Sequence, residues 1–218
     1  MRLHLPIAAI AASVFASSSV NAAPASKFKS PTGRVTYKLS SPMMNGSTTL
    51  SWMENGKKFR QDMSGEVVRP SQPGQPPAHG MQIKTWTLSD GVNIYSKQPM
   101  NDSILRIKIP KDKKGISPSP LMPTGLDTAK VVGKETLLGK QCQIRQIQAQ
   151  GNAVKVWIWD GVPLKMQSSG QQSMSMVATK VEVPARLDAA KFKLPAGAKV
   201  QDFNLPTGGG APGRPGPR

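Results

Sequence analysis

A single cysteine, Cys142, occurs in the 218 residues, so no internal disulfide can form and the fold must be held by packing alone. Histidine is almost as scarce. Of the two, His4 falls in the leading apolar segment and only His79, in the proline-rich PPAHGMQ, lies in the body of the chain. A Cys-His nucleophile would have to join this loop histidine to a thiol far away in sequence, and a general base needs rigid support. There is no G-x-S-x-G elbow, P-loop or H-E-x-x-H. Asp and Glu number only 12, and Glu54, Asp90 and Asp160 stand at turns, where a carboxylate initiates or caps. With no catalytic constellation, the chain is read as a non-enzyme with no cofactor and no catalytic residues.

Long hydrophobic runs are missing too. The longest, Leu5 to Ala16, falls short of the roughly 20 residues of a membrane span. It follows Arg2 and precedes the small-residue site Val20-Asn21-Ala22, the pattern of a secretory signal cleaved after Ala22. Residues 1–22 are therefore assigned as a signal peptide and the mature chain is expected in the periplasm. No cysteine follows the signal, so no lipidated N-terminus is expected. Basic residues outnumber acidic ones 29 to 12, and removing Arg2 leaves 28 against 12, a formal charge of +16. Export argues against nucleic acid as the partner of this charge and leaves anionic lipid headgroups, lipopolysaccharide or acidic polymers. Only PKDKKG at 110–115 is a dense basic run, and the other lysines are dispersed as on a solvated surface.

What the sequence does have is alternation with period two. RVTYKLS, TLSWM, KKFRQDM, IKTWTLS, VNIYS, SILRIKI, AKVVGKET, KQCQIRQIQ, AVKVWIW, VPLKMQS and QSMSMVATKVEV read as about eleven strands. Asn55-Gly56, Asp90-Gly91 and Asp160-Gly161 supply hairpin turns. Proline cannot serve inside a ladder, so VRPSQPGQPPAHG (68–80) and KDKKGISPSPLMPTGLD (111–127) read as loops or lids. Residues 23–32 are expected to be a flexible segment, the Gly/Pro-rich 201–218 a disordered tail, and LDAAKF the one stretch with a helical look.

KVWIWDGVPLKM places two of the four tryptophans on one hairpin. A two-residue turn at Asp160-Gly161 sets Trp159 opposite Val162, Trp157 opposite Leu164 and Lys155 opposite Met166. Trp157, Trp159, Val162, Leu164 and Met166 then share one apolar face. That face suits either a core or the wall of an apolar ligand cavity, and these five residues are the candidate ligand-binding set. A turn at Gly139-Lys140 sets Leu137 opposite Cys142, with Ile144 on the same face, which makes the cysteine a small inward hydrophobe.

The succession VVGKETLLGKQCQI, KVWIWDGVPLKM, MVATKVEV and FKLPAGAKV carries the patterns G-x-E-x-x-x-G-x-x-C, W-x-W-x-G-x-P-L-K and F-x-L-P-x-G. In this order they resemble the C-terminal half of the LolA-like superfamily, in its uncharacterised exported branch. GRVTYKLS, TTLSWMENGKKFR and TWTLSDGVNIY fit the first half more loosely, so the resemblance covers about residues 33–200. It implies an incomplete antiparallel β-barrel, a curved meander closed by a loop or short-helix lid. It also implies a carrier or sensor role in the cell envelope, binding a lipid or the acyl chain of a lipoprotein. The inserts depart from the lipoprotein carriers in being proline-rich rather than helical. Two alternatives remain: a periplasmic Cu(I) site built from methionines such as Met43, Met44, Met174 and Met176, since soft thioethers select Cu(I), or an interaction module with a closed core.

Overall fold

The computed structural model describes residues 28–67, 80–99, 103–109, 123, 125–149, 152–170 and 173–203. The proposed signal peptide, His79, most of both proline-rich inserts and all but the first residues of the tail lie outside this set. The fold is mainly β, one curved sheet that does not close, as an incomplete barrel requires. Twelve strands are described: β1 Gly33–Ser41, β2 Met44–Met53, β3 Lys58–Val67, β4 Met81–Ser89, β5 Asn93–Lys97, β6 Ile104–Lys108, β7 Lys130–Leu137, β8 Lys140–Ala149, β9 Asn152–Trp159, β10 Val162–Ser169, β11 Met174–Glu182 and β12 Val200–Asp202. Their spatial order is β12-β6-β5-β4-β3-β2-β1-β11-β10-β9-β8-β7. Every pairing is antiparallel except that of β12, which lies parallel to β6. No described helix is long and apolar enough to cross a membrane.

Two half-meanders, β1 to β6 and β7 to β11, meet where β1 pairs with β11. Alternation places Val35, Tyr37 and Leu39 of β1 with Leu50 and Trp52 of β2 on one buried face, here called the core face. Gly33 lets the Trp52 indole lie against the strand, because a Cβ there would stand 2.1 Å from the ring. Phe28 caps this end, its ring 4.6 Å from that of Trp52. Lys29 reaches Asp160 at 2.8 Å. Phe28, within the segment expected to be flexible, is buried against Trp52.

A second cluster forms on the opposite, outer face from Leu88, Tyr95 and Ile104, covered by Phe192. LDAAKF is not an α-helix but contains one 3-10 turn, Ala189–Phe192, capped by the Asp188 carboxylate on the Ala190 N–H. Arg60 donates to the Lys191 carbonyl at 3.1 Å and ties this turn down. The F-x-L-P-x-G motif thus supplies Phe192 and Leu194 to the second cluster.

Candidate functional site

The turn at Asp160-Gly161 forms as expected, both residues in left-handed backbone (φ 49° and 81°). Trp159 faces Val162 and Ile158 faces Pro163. There the expected register ends. A bulge between Pro163 and Lys165 shifts the ladder, so Trp157 faces Lys165, not Leu164, and Val156 faces Met166, in place of the expected Lys155. Proline has no N–H to give a ladder and is tolerated at bulges. The buried Tyr37 hydroxyl donates to the Pro163 carbonyl at 2.8 Å and holds the bulge. Burial pushes the Tyr37 phenol well above its ordinary range, so it serves as a donor.

The five candidate residues are therefore split between faces. Met166 points to the core face, Trp157, Trp159 and Val162 to the outer face, and Leu164 is the fully buried residue at the bulge. Neither indole is free. Lys165 Nζ lies 4.2 Å from the Trp157 ring centroid and Lys140 Nζ 4.6 Å from that of Trp159, positions favoured by the ring quadrupole. The Trp157 N–H donates to Glu135, which also sits 3.7 Å from Lys165. The third outer-face indole, Trp86, carries the Arg60 guanidinium at 5.2 Å. The tryptophans of this hairpin are lids under cations.

Cys142 is fully buried, as expected, but the turn falls at Leu138-Gly139, so Leu137 pairs with Lys140 and Glu135 with Cys142. The two-residue slip keeps parity, and Leu137, Cys142 and Ile144 still share a face. Burial raises the thiol pKa above its ordinary value; the Leu137 N–H opposes this and the Glu135 charge adds to it.

Sequence reasoning missed what gathers on the core face. Met166 pairs with Met176, which pairs with Leu39, and Met174 follows two positions along β11. Met44 stands at alternate spacing with Thr48 and Leu50, and Met63 pairs with Thr48. Five methionines thus project to one face and join one hydrophobic cluster, Met166 and Met176 buried and the other three partly so. Alternation within β2 and β3 was the available signal. A 3-10 turn at Leu126–Thr128 borders the cluster near β8, with Leu126 buried in it and its carbonyl accepting from Arg145 at 2.9 Å.

Two clefts open among the described residues. One, of about 700 Å³, lies at the strand ends, lined by residues including Ser40, Pro42, Lys155, Gln167, Met174 and Ser175. The other, of about 300 Å³, includes Ser47, Asp62, Ser64, Lys84 and Trp86. Neither is lined by any of the five expected ligand residues. Met174 joins the larger cleft to the methionine cluster. Among the described residues no group of three or more His, Cys, Asp or Glu could hold a metal.

No family model and no curated protein matches the chain. Among solved structures, an uncharacterized conserved protein from Thermus thermophilus superposes with a TM-score of 0.51 at 12% identity, over 80% of this chain and 92% of that one. At that identity the likeness shows the fold alone. Two structures of PNGF-II, in space groups P21 and C2, give TM-scores of 0.40 at 15% and 12% identity. They match 80% and 79% of this chain, but only 32% and 31% of the PNGF-II chain.

Proposed function

We propose that the chain is an exported envelope protein that holds an apolar ligand, a lipid or the acyl chain of a lipoprotein, on the core face of its open sheet. The observation that carries this reading is the set of five methionines on that face, with Met174 also lining the large cleft. Unbranched thioether side chains repack readily and recur at adaptable apolar binding surfaces. The core face is filled by its own side chains, so an acyl chain would pass from the cleft beside Met174 and displace Met166 and Met176. Burying a chain in their place adds about 0.8 kcal/mol per CH2. The resemblance to LolA-like carriers and the N-terminal signal pattern agree with this reading.

The methionine cluster also favours a second reading, a Cu(I) site at Met166, Met174 and Met176. One titration series separates the two. Delipidated protein is expected to bind myristate, palmitate and stearate saturably by isothermal titration, more tightly with each added methylene. Met166→Leu with Met174→Leu should keep acyl binding, because apolar volume is conserved. Met44→Gln with Met174→Gln, both at half-buried positions, should weaken it. Tight Cu(I) binding abolished by the leucine pair would favour the metal. A folded protein that binds no fatty acid has a closed core and some other role.

A further inference from the structure

We propose that the outer face of the sheet is a binding surface for an acidic polysaccharide, laid across the strands from one cleft to the other. Residues paired across strands project to the same side, so the registers define a row Lys165, Val177, Lys38, Ser47, Ser64 and Lys84, running from β10 to β4. Beside it runs a second row, Lys155, Gln167, Ser175, Ser40 and Asn45, from β9 to β2. Lys155 lines the larger cleft and Lys84 the smaller. Lys38 lies between them, three strands from each. At about 4.8 Å per strand, the six steps from β9 to β4 make a track of about 29 Å with a cation at each end and one midway.

Lys38, Lys84 and Lys155 are exposed and make no ion pair with a described residue. The acids of the same face are mostly neutralised already. Arg60 holds Asp62 at 2.8 Å, Lys165 lies 3.7 Å from Glu135, and Arg34 and Lys180 stand 3.6 and 3.1 Å from Glu182. Glu66, paired with Asn45 at the far end of the second row, has no such partner among the described residues. Between the cations the track offers hydroxyls and amides, which both donate and accept, as sugar hydroxyls do. Its one apolar side chain is Val177. Widely spaced lysines suit a polymer carrying separated charges better than a nucleic acid, with one charge per roughly 1.7 Å. The indoles nearest the track, Trp157 at its β9 end and Trp86 beside Lys84, lie under Lys165 and Arg60, and a row of lysines, hydroxyls and amides with no apolar wedge of its own is poorly made for insertion into a bilayer. The overall formal charge of +17 supplies long-range attraction. This surface lies on the opposite side of the sheet from the methionine cluster and does not depend on it.

The test is fluorescence anisotropy of labelled polygalacturonate at low salt, with labelled dextran as the neutral control. The triple variant Lys38→Gln, Lys84→Gln, Lys155→Gln is compared with Lys57→Gln, Lys134→Gln, Lys193→Gln, which removes equal charge from exposed positions off both rows. The first should bind polygalacturonate about tenfold more weakly and with a shallower salt dependence, the second within about twofold of wild type. Both variants should melt like wild type. Equal weakening by the two triples would overturn the proposal, as would binding no tighter than to dextran. Binding to phosphatidylglycerol vesicles without binding to polygalacturonate would overturn it in favour of a membrane surface.

Discussion

Cys142 shows how much one side chain's surroundings decide. Its thiol is fully buried, donates to the Lys140 carbonyl at 3.5 Å and has its pKa raised by burial, so the reactive thiolate is both scarce and inaccessible. A disulfide reagent at pH 8 should label the native protein only as fast as it opens, and label it at once in guanidinium. Labelling of the native state at the rate of a free thiol would place the cysteine on the surface. The burial of Cys142 on the face it shares with Leu137 and Ile144 was legible in the sequence, because parity survives a two-residue slip. The role of the tryptophans was not. Pro163 was the mark of the bulge that turns Trp157 away from Met166, but a proline shows only that a ladder can break there and not which way the following residues turn.

At the scale of elements, the turns were the most readable parts, since left-handed backbone selects Gly, Asn and Asp. The β4–β5 turn is one example. Asp90 accepts from the Val92 and Asn93 N–H groups at 2.8 and 2.7 Å, and from the Asn93 amide and the Tyr95 hydroxyl at 3.4 and 3.2 Å. Partial burial raises its pKa, but these donors outweigh burial and hold the carboxyl below its ordinary value. A depressed folded pKa means that Asp90 stabilises the fold above the unfolded pKa of about 3.9, and that this is lost as pH falls through the lower, folded value. Asp90→Asn should therefore destabilise the protein at pH 7 by about 1 kcal/mol after allowance for solvent screening. The gap to wild type in urea melts should narrow as pH falls below the unfolded pKa of about 3.9 and Asp90 takes up its proton. A gap independent of pH would mean that the charge does nothing in the turn. β12 was illegible for the opposite reason. Three residues carry no period, and their pairing with β6 is fixed by the packing of Leu187, Phe192 and Leu194 on the second cluster and by the Arg106–Asp202 ion pair at 2.6 Å.

For the whole molecule, the sheet separates two chemistries. In the middle of the sheet, alternation along β1, β2, β10 and β11 puts methionine and aliphatic side chains on one side and much of the lysine and serine on the other, while the outer face turns apolar or aromatic toward β4–β6 and β9. The mainly β meander followed from that period in the sequence, and the incomplete barrel from the resemblance to the LolA-like superfamily. The gathering of methionines did not, because Met44, Met63, Met166 and Met174 are far apart along the chain and only the order of strands in the sheet brings them together. The central claim is that this face opens to an acyl chain. The most direct test is methyl NMR of protein labelled at the methionine methyl carbons, titrated with palmitate. The resonances of Met44, Met63, Met166, Met174 and Met176 should shift together and saturate at one equivalent, while those of exposed Met43 and Met81 stay fixed. Unchanged resonances at the five positions with palmitate in excess, or shifts confined to Met43 and Met81, would contradict the account.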